Sequence, residues 1–195
     1  MQSLDWSLFS FVNGLAGRWP ALDTVMVIMA SYGPLLLAVP LILLWFTGSG
    51  ETRTAYRQGA LRAVIAAVLA LLTNQVIGLV YFRPRPFVAH TVHLLVSSAR
   101  DSSFPSDHAT GSWALAWSVR HPPRLISMPM TVLAVLITIA RVYVGAHYPS
   151  DVIGGALIGI AITFLVERLW PLLLASKAER LVRFATQLPP HGSRS

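Results

Sequence analysis

The chain has 195 residues, 54% of them hydrophobic and 12% charged, about half the charged share of a soluble domain. It contains no cysteine, which excludes disulfides, thiolate metal sites and a cysteine nucleophile. Its net charge of +7 comes almost wholly from arginine, with Lys177 the one lysine and no basic run, so a positive-inside membrane protein fits better than a nucleic-acid binder.

Mean hydropathy is +0.61, and the length suits a single domain over 1–195. The opening MQSLDWSLFSF has no basic n-region and carries Asp5, so no cleavable signal peptide is expected. From Ser3 to Gly17, Trp6, Phe9, Val12 and Leu15 form a helical stripe with Phe11 beside it. This segment is too short to span. It reads either as an amphipathic helix (1–20) lying in the membrane interface or as a packed helix of the bundle. Thr24 to Gly50 and Ala63 to Phe82 are uncharged runs. Leu125 to Ala140 is a third, apolar to Val144, and Val152 to Val166 is a fourth, extended by LWPLLLA. A bilayer core takes about twenty apolar helical residues. The first two runs reach that length alone and the others with their flanks. Ala109 to Val119 is shorter and carries Ser112 and Ser118, so it reads as a span shielded by its neighbours. Backbone groups in lipid must be paired within the segment, so the spans are expected to be helices. The predicted fold is all-α, a polytopic transmembrane bundle of five to six spans. Residues 177–195 are mixed in composition and end in PPHGSRS, read as a tail with a disordered end.

Five spans put loop 47–62, turn 120–124 and the C-terminal segment on one side. These segments carry ten of the fifteen Lys and Arg residues, which predicts a cytoplasmic face there and a cytoplasmic C-terminus. Loops 83–108 and 141–151 then face outward.

Three clusters fall on the outward side: Arg83-Pro84-Arg85-Pro86-Phe87, Pro105-Ser106-Asp107-His108, and Arg141, His147 and Asp151. Each sits at a helix end, so a bundle can bring them together. Three arginines offer forked donors that match phosphoryl oxygens. Ser106 and the free N–H groups opening the third helix add neutral donors and a favourable dipole. The prolines after Arg83 and Arg85 stiffen the backbone that aims them. Two histidines can divide the work, one attacking phosphorus and the other protonating the leaving oxygen. Asp151, four residues after His147, is the natural carboxylate to orient it. No cluster offers a metal-ligand set, and no cofactor is expected. Arg18 and Arg100 read as snorkelling arginines, and His90, His93, His121 and His191 as ordinary interfacial or capping histidines.

At these residues the chain resembles the type 2 phosphatidic acid phosphatase superfamily, whose signature is KxxxxxxRP, PSGH and SRxxxxxHxxxD. Here the parts read Arg85-Pro86, PSDH and ARVYVGAHYPSD (Ala140 to Asp151). Gly78 stands where the pattern has lysine, and Asp107 where it has glycine. NQVIGLVYFRPRPF and DSSFPSDHAT look like the bacitracin-resistance-type undecaprenyl pyrophosphate phosphatases. The resemblance implies His147 as a nucleophile forming phosphohistidine, Asp151 as its partner and His108 as the acid. It implies Arg85, Ser106 and Arg141 as phosphate ligands. Arg83 is expected to make up for the absent lysine, and Asp107 to contribute its backbone N–H. The implied substrate is a polyprenyl pyrophosphate lipid held among membrane lipids. A phosphatidylglycerol phosphate, phosphatidic acid or lipid A phosphatase shares the same chemistry. A lipid-binding or transport protein with a dead site is the reading from another class.

Overall fold

The computed structural model describes residues 2–119, 124–174 and 186. Eight helices run in order among the described residues: α1 Gln2–Asn13, α2 Pro20–Leu36, α3 Ala38–Phe46, α4 Gly50–Val80, α5 Pro86–Ala89, α6 Asp107–Ser118, α7 Arg124–Tyr143 and α8 Pro149–Leu174. Among the described residues four stretches are long and apolar enough to cross a membrane: Pro20–Phe46, Gly50–Val80, Ile126–Tyr143 and Pro149–Leu172. The tail expected at 177–195 lies outside the described residues, apart from Thr186.

Helices α2 and α3 make one span interrupted at Leu37, between Pro34 and Pro40. A proline lacks the N–H that would continue the ladder, so the break falls where two of them cluster. The segment expected as loop 47–62 is mostly helical. Nothing after Gly50 breaks the chain, and α4 starts thirteen residues before its apolar run. Arg57 on this added length is buried: its Nε donates to Trp45 O (3.0 Å) and its guanidinium lies 5.4 Å from the Trp45 ring centroid.

The outer faces of the long helices are apolar, with Val64, Val68, Leu72 and Val76 exposed along α4 and Leu157, Phe164 and Leu165 along α8. A lipid-facing surface accounts for that pattern. The bundle interior is built of small residues around α6. That helix has twelve residues, about 18 Å at 1.5 Å per residue, and buries Ala109, Thr110, Ser112, Ala114, Ala116 and Ser118 between α4, α7 and α8. A Cβ on Gly159 would lie 2.4 Å from Thr110 O, and one on Gly155 would lie 2.7 Å from Thr110 Oγ1. Only glycine permits the α6–α8 backbones to approach this closely.

The stripe Trp6, Phe9 and Val12 of α1 packs against Ala109, Val142, Tyr148 and Val152. The opposite face leaves Leu4, Leu8 and Phe11 exposed. Asn13, also buried, donates to His93 O and Tyr143 O (2.8 Å each) and accepts from His93 N (3.0 Å). These bonds tie α1, the 90–98 loop and the end of α7 together.

Candidate active site

The three clusters meet at one end of the bundle around a cavity of about 580 Å³, whose lining includes Arg85, Arg141, His108 and His147. The bundle supplies one cluster at the end of α4, one where α6 begins, and one across the α7–α8 turn. That turn contains Gly145 at φ +84°, where a Cβ would also strike His93 O at 2.7 Å. A side chain there would meet both strain and collision.

His147 is 2% exposed, and its two ring nitrogens have different partners. Nδ1 lies 2.8 Å from Ser103 O and Nε2 lies 3.0 Å from Arg85 Nη1. A carbonyl only accepts and a guanidinium only donates, so the network assigns the proton to Nδ1 and leaves the Nε2 lone pair toward the cavity. Burial, then the Arg141 and Arg85 charges, hold this imidazole well below its usual pKa. It is neutral at neutral pH.

Asp151 is fully buried. Its Oδ2 accepts from Ser103 Oγ (2.5 Å) and Tyr148 N (2.8 Å), and its Oδ1 accepts from Arg83 Nη1 (2.6 Å). Its approach to His147 Nδ1 is 3.9 Å, too long for a hydrogen bond. The tautomer is therefore fixed by the Ser103 main chain, and Asp151 is linked to the ring by holding Ser103 through its Oγ.

Arg85 and Arg141 both reach the cavity. Arg85 Nε and Nη2 each lie 2.9 Å from Asp101 Oδ1, and Nη1 also donates to Ser98 Oγ (3.2 Å) and Ala146 O (3.3 Å). Asp101 is 64% exposed, so an anion arriving from the cavity can displace it. Arg141 donates from Nη1 to Ala30 O (3.2 Å), while its buried Nε finds no partner among the described residues. The buried Ser106 Oγ also has none. Unmatched buried donors cost stability; Arg141 lines the cavity, whereas Ser106 sits behind its neighbours Pro105 and Asp107 and is not itself part of the lining. Asp107 is held from α4: Asn74 Nδ2 donates to its Oδ1 (2.7 Å) and Gln75 Nε2 to its Oδ2 (3.4 Å). Those amides offset the repulsion its carboxylate would present to an anion.

Arg83 departs from expectation. It does not line the cavity. Its guanidinium bridges Asp151 and Asp5 (2.6 Å each) and lies 4.1 Å from the Tyr148 ring centroid. The two carboxylates engage this cation on the side away from the cavity, so in this structure Arg83 is not presented where Arg85 and Arg141 meet. Gly78 does line the cavity, and a Cβ there would meet nothing within 4 Å. His90 stacks on Trp6 at 4.0 Å between ring centroids and His93 takes part in the Asn13 clamp, both away from the chemistry. Sequence reasoning missed Ser103, Asp101, Asn74, Gln75 and Asp5. Ser103 had a signal, since it stands three residues before Ser106 in the stretch quoted for the second cluster.

Among the described residues, no group of three or more His, Cys, Asp or Glu gathers as a metal-ligand set. The convergent groups are arginines, which suit an anion.

The undecaprenyl-diphosphatase BcrC of Bacillus subtilis (strain 168) is 39% identical over 170 residues, covering 87% of this chain and 86% of that protein. The putative undecaprenyl-diphosphatase YbjG of Escherichia coli (strain K12) is 34% identical over 174 residues, 87% of this chain and 84% of that one. Among solved structures, LpxE of Aquifex aeolicus superposes with a TM-score of 0.71 at 27% identity, over 85% of this chain and 95% of that one. The PAP2 superfamily model matches residues 59–173, a range that takes in all three clusters around the cavity. Sequence, fold and site agree that the chain belongs to the PAP2 superfamily.

Proposed function

We propose that the protein is a membrane lipid phosphatase that hydrolyses undecaprenyl diphosphate to undecaprenyl phosphate and inorganic phosphate. Its place would be the bacterial inner membrane, with the active site on the extracytoplasmic face and the C-terminus in the cytoplasm. The observation that carries the reading is the His147 ring, with its proton on Nδ1 and its Nε2 lone pair beside Arg85 at the cavity. The substrate assignment is supported by the 39% identity to an undecaprenyl-diphosphatase over most of both chains.

In this mechanism Nε2 attacks the terminal phosphorus and forms the N–P bond. The P–O bond to the lipid-side phosphate breaks, and that oxygen takes a proton from His108, which has to enter the step as imidazolium. Burial and the Arg141 and Arg85 charges depress the His108 pKa to about 4, and the negative charge of bound substrate opposes that depression. Arg85, Arg141, Ser106 and the N–H groups at the start of α6 hold the equatorial oxygens. A water then attacks phosphohistidine, gives a proton to His108 and releases inorganic phosphate from His147. Every step is carried by groups of this chain, so activity is expected to persist under chelation. The basic ends of α4 and α7 and the Arg168 region support the orientation.

Phosphate release from undecaprenyl diphosphate, beside phosphatidic acid and phosphatidylglycerol phosphate, tests the assignment in the presence of EDTA. Preference for the diphosphate supports it. Preference for a monophosphate lipid moves the substrate elsewhere in the superfamily, and absence of turnover on all three leaves a binding or transport role. A reporter active only outside the cytoplasm, fused after residue 180, is expected to be silent, whereas one placed within 90–98 is expected to be active.

A further inference from the structure

The least explained contact at the active-site end comes from α1. Asp5 Oδ2 accepts from Arg83 Nη2 (2.6 Å) and Ser150 Oγ (2.6 Å), and Oδ1 accepts from Ser150 N (2.9 Å). Arg83 Nη1 donates onward to Asp151 Oδ1 and to Ser150 Oγ, both at 2.6 Å. The Arg83 main chain joins the same assembly, because Ser103 N donates to Arg83 O (2.8 Å). Ser103 O in turn holds the ring of His147. Asp5 thus grips the residue beside the buried carboxylate and the cation opposite it, across 145 and 78 positions of sequence.

Two features separate this contact from an ordinary surface ion pair, which is only weakly stabilising. The side chains of Asp5 and Arg83 are only 12% and 19% exposed. The contact is also anchored on both sides: Phe9 is buried against Tyr148 with ring centroids 5.6 Å apart, and Trp6 stacks on His90. Burial pushes the Asp5 carboxyl up, but hydrogen bonds from Ser150 and Arg83 outweigh it and leave its pKa lowered. The charge is therefore present at neutral pH. Without Asp5, Arg83 is free to rotate toward solvent, and Asp151 loses the fixed cation that offsets its own burial.

We propose that Asp5 is a positioning residue for catalysis: by fixing Arg83 and Ser150 from the N-terminal helix, it holds Asp151 and Ser103 where they support His147. This rests on the proposed role of His147 as nucleophile. Asp5 touches neither the phosphate ligands nor the cavity around them, so its loss acts on turnover and spares binding.

The test uses the full chain purified in detergent, with wild type, Asp5→Ala, Asp5→Asn, Asp5→Glu, Arg83→Ala and the Asp5→Ala/Arg83→Ala pair. The substrate is undecaprenyl diphosphate, or whichever lipid phosphate the wild type turns over, and orthovanadate serves as a phosphate-site probe. Asp5→Ala is expected to lower kcat about tenfold, with KM and vanadate inhibition within twofold of wild type. Asp5→Glu is expected to recover part of the loss, and the double variant to be no slower than Arg83→Ala. Unchanged kcat in Asp5→Ala, a loss expressed in KM or vanadate affinity, or full additivity in the double variant would each overturn the proposal. Where Asp5→Ala does not fold, Asp5→Asn keeps the shape without the charge and carries the same criteria. A wild type with no turnover on any lipid phosphate refutes the functional reading instead, and is distinguished by that control.

Discussion

Replacing Asp151 with asparagine separates two jobs that a carboxylate beside a histidine often does together. In a serine-protease triad the aspartate holds the tautomer, and its amide variant loses about 10⁴ in kcat. Here Ser103 O accepts from His147 Nδ1 at 2.8 Å, so the tautomer survives the substitution. What is lost is charge. In the proposed mechanism phosphorylation at Nε2 builds positive charge on the ring, and Asp151 Oδ2 lies 3.9 Å from Nδ1. At an effective dielectric of about 20, that attraction is worth about 4 kcal/mol, a factor of about a thousand in rate. Arg83 keeps Asp5 and Ser150 as partners, so the loop retains an anchor. Single-turnover phosphate release measures the rate, and ¹⁵N shifts of the His147 ring report the tautomer. Asp151→Asn is expected to be about a thousandfold slow with the proton still on Nδ1. Ser103→Ala keeps the charge and the main-chain carbonyl, and is expected to lose only about tenfold. A rate for Asp151→Asn within tenfold of wild type, or a proton moved off Nδ1, would refute this division of labour.

Arg141→Lys keeps the charge but loses the fork, so kcat/KM is expected to fall about tenfold or more, while exposed Arg100→Ala stays within twofold in the same assay. His147 adds a pH dependence to stability. Its folded pKa is depressed, so below about pH 6.5 the unfolded chain binds a proton that the folded chain refuses. Stability is expected to fall as pH drops from 6.5, by up to about 1.4 kcal/mol per pH unit from this group. A His147→Ala variant melted across the same range should show a shallower decline. Gly155→Ala places a Cβ 2.8 Å from Ser106 O and 2.7 Å from Thr110 Oγ1, forcing back the start of α6. The expected cost is about 1–3 kcal/mol in stability, with turnover reduced more than tenfold because Ser106 and His108 move with it. Unchanged melting and turnover would show that α6 gives way freely.

The elements legible in the sequence are those set locally. His147 and Asp151 fall together because the turn and first residues of α8 span few bonds, and PSDH opens α6 because its carboxylate and small residues suit a helix start. Helix continuity across 50–62 was not legible, since charge alone does not interrupt a helix and the burial of Arg57 depends on Trp45 from the preceding span. Arg83 was misplaced for a similar reason. Its spacing from Arg85 suggests a shared target, yet its partners come from α1 and α8, and only the folded bundle decides between them. Ser103 contributes a main-chain carbonyl, a group that every residue has and no motif encodes.

Gly78 leaves open space beside the cavity, and the charged side chains lining that cavity are two arginines, Arg85 and Arg141, facing two carboxylates, Asp101 and Asp107. Those two pairs of opposite charge balance, so the approaching substrate meets a site with little net field. Long-range attraction therefore contributes little to capture, and recognition begins only when phosphoryl oxygens replace Asp101 on the Arg85 fork. Such a site suits a ligand delivered by diffusion within a membrane, where the tail already confines it. Its apparent affinity should depend weakly on ionic strength. A Cβ at position 78 meets nothing within 4 Å, and a lysine there would convert the site into one that draws anions from a distance, at the expense of that salt tolerance.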